Sequence, residues 1–335
     1  MRLLFSSFIL ISLVVISSCG NSNVKKTKAP INKIEELSKN IQSNPNKLEL
    51  YIERANLYIQ KNNINNAIID YQKAISIAPD SITYYMKIAD LFLQQGQIKN
   101  TLDILNKVTK VNPNYTQAWI KIGEIHLMFK KYPEVFKYAN KALEIDPYND
   151  KAFFLKAYAY KENADTNKAI DNFQQCLKFN PNNYEANVEL GILFMGLKNK
   201  LAINYFENAI SLDSSKILAY YDLGLFYQDN DMLNEAMATY KKLNKIDPSF
   251  PNSYYNIGYI YLQILNISEE SIPYFTKAIE VKPDYYQAYF NLGLAHEKLG
   301  DILNAEKNYK EALRINPNYN HAITALNRVQ EIINK

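Results

Sequence analysis

Apolar residues recur along this chain at the spacing of an amphipathic helix, and the pattern is clearest near the C-terminal end. Two successive stripes are Tyr289, Leu292, Gly293 and His296, then Ala305, Tyr309 and Ala312. Steps of three or four residues, with one adjacent pair, place each stripe on one face of a helix. Gly300 and Asp301 lie between the stripes and are typical of a turn. The pattern therefore predicts two antiparallel amphipathic helices.

Prolines divide most of the chain into units of constant length. The positions are Pro45, Pro79, Pro113, Pro147, Pro181, Ser214 in place of a proline, Pro248, Pro283 and Pro317. The spacing is 34 residues, with one step of 33 and one of 35. Each proline is expected to end a helix, because the residue before proline is disfavoured in the α region. A period of 34 predicts a solenoid of helix pairs, with one residue missing near 196–201 and one added near 267–271, both in or beside an inter-helix turn.

The residues between the prolines resemble the tetratricopeptide repeat over about residues 48–319. The pattern of that repeat is aromatic, Leu-Gly, aromatic, Ala, aromatic, Ala and Pro. Its small position in the first helix is filled by Ala55, Ala89, Gly123, Ala157, Gly191, Gly224, Gly258 and Gly293. Its aromatic position in the second helix is filled by Tyr71, Leu105, Ala139, Phe173, Phe206, Tyr240, Phe275 and Tyr309. The resemblance implies an all-α, right-handed superhelix of about eight helix-turn-helix repeats with capping helices.

This organisation divides the whole chain into segments with separate roles. Residues 1–18 are interpreted as a signal peptide, 19–30 as a tether, and 31–335 as the solenoid. Within the solenoid, the capping helices are 31–43 and 320–335. The repeats are one to eight in chain order: 48–81, 82–115, 116–149, 150–183, 184–216, 217–250, 251–285 and 286–319.

The N-terminus is typical of an exported lipoprotein. An apolar run of fourteen residues, 3–16, is too short to span a bilayer comfortably and suits a signal-peptide core. It ends in Ile16-Ser17-Ser18-Cys19, which resembles the bacterial lipobox. That resemblance implies cleavage before Cys19 and lipidation of its thiol. An ordinary secretory signal with an incidental cysteine is the alternative.

Composition and charge argue against an enzyme and against nucleic-acid binding. The chain has only 9 glycines and 2 cysteines, and it lacks the short motifs of phosphate-binding loops, zinc proteases and serine hydrolases. His126 and His296 fall in aromatic packing positions, Cys176 falls in a small packing position, and carboxylates are expected on solvent-facing positions. The net charge of +4 becomes zero for residues 29–335, which is unsuited to a polyanion. We therefore expect no cofactor, no metal, no small-molecule substrate and no nucleic acid.

The resemblance implies a concave groove lined by the first helices, which takes peptide segments or partner helices. With the first aromatic counted as position 4, the groove positions are 2, 5, 6, 9 and 12. The predicted groove residues are Phe154, Tyr158, Tyr221, Tyr255, Asn256, Tyr259, Phe290 and Asn291. Aromatic residues on such a face are good anchors for a partner. The alternative is that these rings pack laterally on neighbouring first helices.

Together these features predict a non-catalytic scaffold or adaptor of the bacterial cell envelope. The lipid would hold it in a membrane, expected to be the outer membrane with the solenoid facing the periplasm. Its partners would be envelope proteins. A pilotin-like assembly factor for a pilus, secretion or outer-membrane complex is the alternative.

Overall fold

The computed structural model describes residues 33–334, and it confirms the predicted all-α solenoid fold. Cys19 and the predicted signal peptide lie outside the described residues. Within 33–334 there are eighteen α-helices, one π-helical segment and no strand. The helices are α1 (Lys33–Ser43), α2 (Leu48–Gln60), α3 (Ile64–Ile77), α4 (Ile82–Gln94), α5 (Ile98–Val111), α6 (Thr116–Met128), α7 (Tyr132–Ile145), α8 (Asp150–Glu162), α9 (Thr166–Phe179), α10 (Tyr184–Gly196), α11 (Leu201–Leu212), α12 (Ile217–Asp229), α13 (Leu233–Ile246), α14 (Pro251–Tyr259), α15 (Ser268–Val281), α16 (Tyr286–Lys298), α17 (Ile302–Ile315) and α18 (Asn320–Ile333). None of these helices is both long and apolar enough to cross a membrane.

The described chain forms two compact units, one ending at Leu91 and the other beginning at Phe92. In the second unit each even-numbered helix from α6 to α16 packs against the odd-numbered helix that follows it. The small position of the first helix and the large position of the second helix are buried in both units. A close contact between paired helices therefore recurs between α2 and α3 and from α6 to α17, as the 34-residue pattern predicts.

The prolines end helices in the expected way. Each sits second in a tight turn, and the turn is closed by a backbone bond such as Tyr115 N–H to Asn112 O (3.1 Å). Asn112, which precedes Pro113, is extended at φ −136° and ψ 91°. Proline suits this place because its ring fixes φ and its missing N–H is not needed there.

The turn inside each repeat uses one residue with left-handed backbone. These residues are Asn62, Gly96, Lys130, Ala164, Lys198, Asp231, Asn266 and Gly300, with φ between 53° and 79°. Only two of them are glycine, so the turn geometry is imposed by the packing of the two helices it joins.

The extra residue of repeat seven lies inside the first helix, and our expectation of an insertion near 267–271 is wrong. The segment Ile260–Ile264 is π-helical, and Leu265 N–H donates to Ile260 O (2.9 Å). A π-turn widens the helix by one residue without breaking its hydrogen bonding. The missing residue of repeat five shortens α11 to 12 residues, whereas the other second helices have 14.

A buried ion pair joins the helices of the first unit. Arg54 in α2 donates from Nε and Nη2 to both carboxylate oxygens of Asp70 in α3, at 2.8 and 2.7 Å. Its Nη1 donates to Ser38 Oγ in α1 at 2.8 Å. The Asp70 side chain is 2% exposed, so the expectation that carboxylates lie on solvent positions is wrong here.

The C-terminal helix is held by a second arginine. Arg328 in α18 donates from Nε and Nη2 to the Glu297 carboxylate in α16, at 2.6 and 2.8 Å. The Tyr309 hydroxyl of α17 donates to the same carboxylate at 2.5 Å. The hydrogen bond from Arg328 is the main reason why the pKa of Glu297 lies below its usual range. Three helices therefore meet at one carboxylate.

Candidate protein-binding groove

The predicted groove residues of the second unit lie on four of its first helices. Phe154 and Tyr158 are on α8, Tyr221 on α12, Tyr255, Asn256 and Tyr259 on α14, and Phe290 and Asn291 on α16. The two asparagines are buried, at 8% and 4% exposure. The six aromatic side chains are partly buried. The face they share is called the groove below, and it consists of positions 2, 5, 6, 9 and 12 of the first helices in repeats three to eight.

Three groove aromatics at position 5 are covered by a second ring. Tyr221 meets Phe250 edge-on at 5.2 Å between ring centroids, and Tyr255 stacks on Tyr285 at 5.0 Å. Phe290 meets Tyr319 edge-on at 5.3 Å. In each case the covering ring belongs to the N-cap residue of the next first helix. These aromatics therefore pack against the start of the next first helix, and Phe290 also lies 6.1 Å from the ring of His321 in α18.

Burial of these rings changes the acidity of the tyrosines. The pKa of Tyr255 is raised to about 12, chiefly because burial disfavours the phenolate. Its hydroxyl accepts a hydrogen bond from Asn291 Nδ2 at 3.0 Å. Tyr255 is thus a packing residue whose side chain is only partly buried.

Phe154 is the exception, because the residue in the covering position is Asn183. The Asn183 side chain caps α10, where its Oδ1 accepts from Ala186 N–H at 2.9 Å. A short amide folded back on its own helix provides no ring to cover Phe154 from this side. A pocket of ≈ 360 Å³ opens beside it, lined by Glu124, Leu127, Lys151, Phe154, Leu155, Tyr158, Asn183 and Glu185.

The aromatic wall of this pocket is fixed from behind. The rings of Phe154 and Tyr158 meet edge-on at 4.9 Å, and both pack edge-on against Phe173 of α9, at 5.6 and 5.5 Å. The Tyr158 hydroxyl donates to Glu189 Oε1 at 2.5 Å. Burial, together with the neighbouring Glu189 charge, raises the pKa of Tyr158 far above its ordinary value. The wall is a preformed apolar surface with its one hydroxyl already bonded.

A row of buried polar residues follows the floor of the groove at position 6. Its members are Glu189, Asp222, Asn256 and Asn291, one in each of repeats five to eight, all 8% exposed or less. Our sequence interpretation included only the two asparagines and placed carboxylates in solvent, which is wrong for Glu189 and Asp222. The sequence does contain a signal for this row, because all four residues share one position of the 34-residue pattern.

The members of this row differ in how well they are bonded. Glu189 binds the Tyr158 hydroxyl and the Lys161 ammonium. Asn291 donates to Tyr255 and to the backbone of Gln287, and its Oδ1 accepts from Gln263 Nε2 at 3.1 Å. These bonds satisfy most of what a buried carboxylate or amide requires.

Asn256 stands apart, since its Nδ2 is buried and has no hydrogen-bond partner among residues 33–334. The Tyr240 hydroxyl lies beside the Asn256 side chain and can accept from it while donating to Gln228 Oε1 at 3.3 Å.

Other features predicted as structural are placed in packing positions. His126 stacks on Tyr138 at 5.3 Å, and His296 Nδ1 lies 3.0 Å from Asp301 Oδ2. Cys176 is a buried thiol whose pKa is raised to about 12 by burial. Within the described part of the chain, no cluster of histidine, cysteine and carboxylate side chains could hold a metal ion.

Family models match the chain in several places. Models described as tetratricopeptide repeats match residues 138–171, 251–285 and 286–319, and one described as a TPR repeat matches 232–264. A model for the ARM repeat of tetratricopeptide repeat protein 21 matches residues 16–141. The chain therefore carries tetratricopeptide repeats, a class of repeat that is generally non-catalytic.

Several solved structures are similar to this chain, and the first of those described here shares its fold. The C-terminal part of a TPR repeat-containing protein from Cytophaga hutchinsonii is 18% identical, covers 72% of this chain and 98% of its own, and has a TM-score of 0.62. YrrB, titled a TPR protein with an unusual peptide-binding site, is 23% identical over 55% of this chain and 95% of its own, with a TM-score of 0.49. MamA is 26% identical over 50% and 91%, with a TM-score of 0.46.

One curated relative is an enzyme, the UDP-N-acetylglucosamine–peptide N-acetylglucosaminyltransferase of Giardia intestinalis. The two chains are 32% identical over 124 residues, which is 36% of this chain. The match spans 8% of the enzyme's length. The likeness is therefore to a small part of that enzyme.

Proposed function

We propose that this protein is a non-catalytic scaffold that binds a segment of a partner protein along the groove. The observation that carries the proposal is the uncovered pocket beside Phe154. In repeats six to eight the corresponding ring is capped by an aromatic residue of the same chain. In repeat four the partner would supply that apolar side chain. Anchors of this kind, large apolar groups entering preformed pockets, contribute most of the energy at protein interfaces.

The test fills the pocket with a tyrosine ring like those that cover the corresponding position in other repeats. Asn183→Tyr introduces the kind of ring that covers position 5 in repeats seven and eight. Loss of the Asn183 cap should cost about 1 kcal/mol, partly offset by ring packing on Phe154. We expect the melting temperature to change little and the crosslinked partner to be lost from membrane pull-downs read by mass spectrometry. Partner affinity should fall at least about 30-fold, as for a hot spot of about 2 kcal/mol.

Asn149→Tyr is the matched control. Asn149 caps α8 as Asn183 caps α10, and its Oδ1 accepts from Ala152 N–H at 3.1 Å. It does not line the pocket, and Ile120, the position-5 residue of its repeat, is already buried at 4% exposure. This variant should lose a similar cap and keep the partner. If Asn183→Tyr keeps the full set of partners, the pocket is not the binding site.

The cellular setting belongs to the same proposal. A lipid on Cys19 would hold the scaffold in the cell envelope, and the outer membrane with the solenoid facing the periplasm is the location we favour. Its partners would then be envelope proteins. The pilotin-like alternative predicts transient association with an assembling pilus, secretion or outer-membrane complex, whereas a structural subunit would co-purify in fixed stoichiometry.

Cys19→Ala tests the anchor. The variant should accumulate unprocessed, or leave the membrane fraction, because no thiol is present for the lipid. Metabolic labelling with a palmitate analogue and fractionation measure both effects, and Cys176→Ala is the control that keeps Cys19. Normal processing and unchanged fractionation of Cys19→Ala would rule out lipidation at this site.

A further inference from the structure

Exposed apolar side chains are concentrated at the turns inside the repeats. Among residues 33–334, seventeen large apolar side chains are exposed, and nine of them lie in or beside four of these turns, in repeats three, five, seven and eight. Turns of adjacent repeats are neighbours, since Lys298 Nζ in repeat eight donates to Asn266 Oδ1 in repeat seven at 2.8 Å. Exposed apolar residues that lie together mark interaction sites, whereas single ones need no explanation. This side of the second unit is called the turn edge below, and it consists of residues 128–132, 162–166, 196–201, 229–233, 263–270 and 298–303.

The fold does not require an apolar residue at these turns. The C-cap of the first helix is Phe129 in repeat three and Leu197 in repeat five, and their side chains are 54% and 53% exposed. The same C-cap is Asn163 in repeat four and Asn230 in repeat six. Since asparagine serves in the same place, the exposed phenylalanine and leucine are not explained by the packing of their own helices.

The apolar turns fall into two groups of different charge. In repeats three and five, the turns 128–132 and 196–201 contain four lysines and no carboxylate. In repeats seven and eight, the turns 263–270 and 298–303 contain three carboxylates and one lysine. The first group is therefore basic and apolar, and the second group is acidic and apolar.

The lysines of the first group are largely free to meet an external anion. All four are exposed, namely Lys130, Lys131, Lys198 and Lys200. Lys130 Nζ lies 3.5 Å from the Glu162 carboxylate, at the end of α8. The other three have no ion pair within the part of the chain that the structure describes. Exposed apolar residues thus alternate with unpaired positive charges along this part of the turn edge.

We propose that the turn edge of repeats three to five binds the surface of an anionic bilayer. The lysines would lie among the acidic headgroups, and the side chains of Phe129 and Leu197 would enter the boundary between headgroups and acyl chains. Attraction of basic residues to acidic lipids and burial of apolar side chains act together at such surfaces. The site lies outside the groove and does not depend on a lipid at Cys19.

A bilayer suits this arrangement better than a folded partner does. The two basic turns are separated by the polar turn of repeat four, 162–166, and a continuous surface can meet both at once. The carboxylates of repeats seven and eight, among them Glu269 and Glu270, would be repelled by the same surface. The contact is therefore confined to one part of the turn edge.

Vesicle flotation tests the proposal. The probes are vesicles of phosphatidylcholine with about 30% phosphatidylglycerol and vesicles of phosphatidylcholine alone. The protein is the mature chain, residues 19–335, with Cys19→Ala so that no lipid is attached. It should bind the anionic vesicles at least about tenfold tighter, and high salt should reduce the difference, because the attraction is electrostatic.

Two double variants remove the two components separately. Phe129→Ser with Leu197→Ser removes the apolar contacts, and Lys198→Gln with Lys200→Gln removes two charges. Each should weaken binding to the anionic vesicles at least about fivefold, because both components contribute. All four side chains are exposed, so the melting temperature should change little.

Each variant has a matched control. Leu299→Ser with Leu303→Ser removes two exposed leucines from an acidic turn of the same edge. Lys241→Gln with Lys242→Gln removes two exposed lysines of α13 that lie outside the turn edge. Both controls should bind the anionic vesicles as the parent chain does.

Several outcomes would overturn the proposal. They are absence of binding to anionic vesicles, equal loss in a control, and unchanged binding in both turn variants, which would assign the attraction to the lysines of the tether, 19–30. Sedimentation without vesicles supplies the last arm. A shift from oligomer to monomer in Phe129→Ser with Leu197→Ser would assign these side chains to a second copy of this chain instead. None of these results bears on the groove, which the pull-down with Asn183→Tyr tests separately.

Discussion

Replacing Asp70 with alanine is expected to destabilise the N-terminal repeat by about 3–5 kcal/mol. The substitution leaves the Arg54 guanidinium, only 17% exposed, without the carboxylate that binds it through two hydrogen bonds. Arginine does not lose its charge at neutral pH, so the repeat must bury an uncompensated cation or open to hydrate it. Hydrogen exchange should show the loss of protection in α1 to α3, and thermal denaturation should show an early transition.

The double substitution Arg54→Leu with Asp70→Leu is the matched control. Position 7, which Arg54 occupies, is apolar in most other repeats, as at Ile88, Ile122 and Leu223. Replacing a buried ion pair by apolar residues of similar size is often close to neutral. We therefore expect the double variant to recover most of the stability that Asp70→Ala loses. A cost below about 1 kcal/mol for Asp70→Ala would show that Arg54 escapes to solvent.

Gly224→Ala is expected to be among the most damaging single-methyl changes in the second unit. A Cβ at Gly224 would lie 2.4 Å from Cε1 of Tyr240, well inside van der Waals contact. The Tyr240 ring is fully buried and cannot turn away without giving up its packing. Overpacking of this kind typically costs about 1–3 kcal/mol, and we expect the upper part of that range.

Gly123→Ala tests whether the side chain that faces the glycine determines how much stability the substitution costs. Its new Cβ would approach Leu155 Cδ2 at 2.6 Å, a terminal methyl that can move by rotation. The two substitutions are chemically identical and occupy the same repeat position, yet Gly123→Ala should cost less than about 1 kcal/mol. Hydrogen exchange should show damage confined to repeat six and its neighbours in Gly224→Ala, since each repeat contacts mainly the next. Loss of protection along the whole unit would contradict that view.

Most of the fold could be predicted from sequence, because the small, aromatic and proline positions recur in the same order in nearly every repeat. Pro113 marks the end of a helix and Gly224 marks a close contact between two helices. Because residues of the same kind recur at the same position of other repeats, these roles can be assigned from sequence. The π-helical segment could not be placed in this way. An inserted residue changes the spacing between two landmarks but does not show where between them the backbone absorbs it.

The groove was predictable in outline and not in detail. Positions on the first helices follow from the period, so Phe154 and Tyr255 fall on the same face. Sequence does not show that Tyr285 covers one ring while Asn183 leaves the other open, because that depends on how each turn residue directs its side chain. The buried carboxylates Glu189 and Asp222 were missed because a charged residue on an amphipathic helix is ordinarily assigned to solvent.

The π-helical segment also limits how many residues are reoriented by an insertion in the chain. One extra residue in an α-helix would rotate every later side chain of that helix by about 100°. Here the wider turn at Ile260–Ile264 takes up the residue, and the left-handed turn at Asn266 starts the next helix afresh. Ala305 and Tyr309 of repeat eight are fully buried, like their counterparts in other repeats. Each inter-helix turn therefore sets the orientation of the next helix independently of the helix before it. A change in chain length then displaces groove residues in one repeat, while the groove residues of later repeats keep their positions on the helix face.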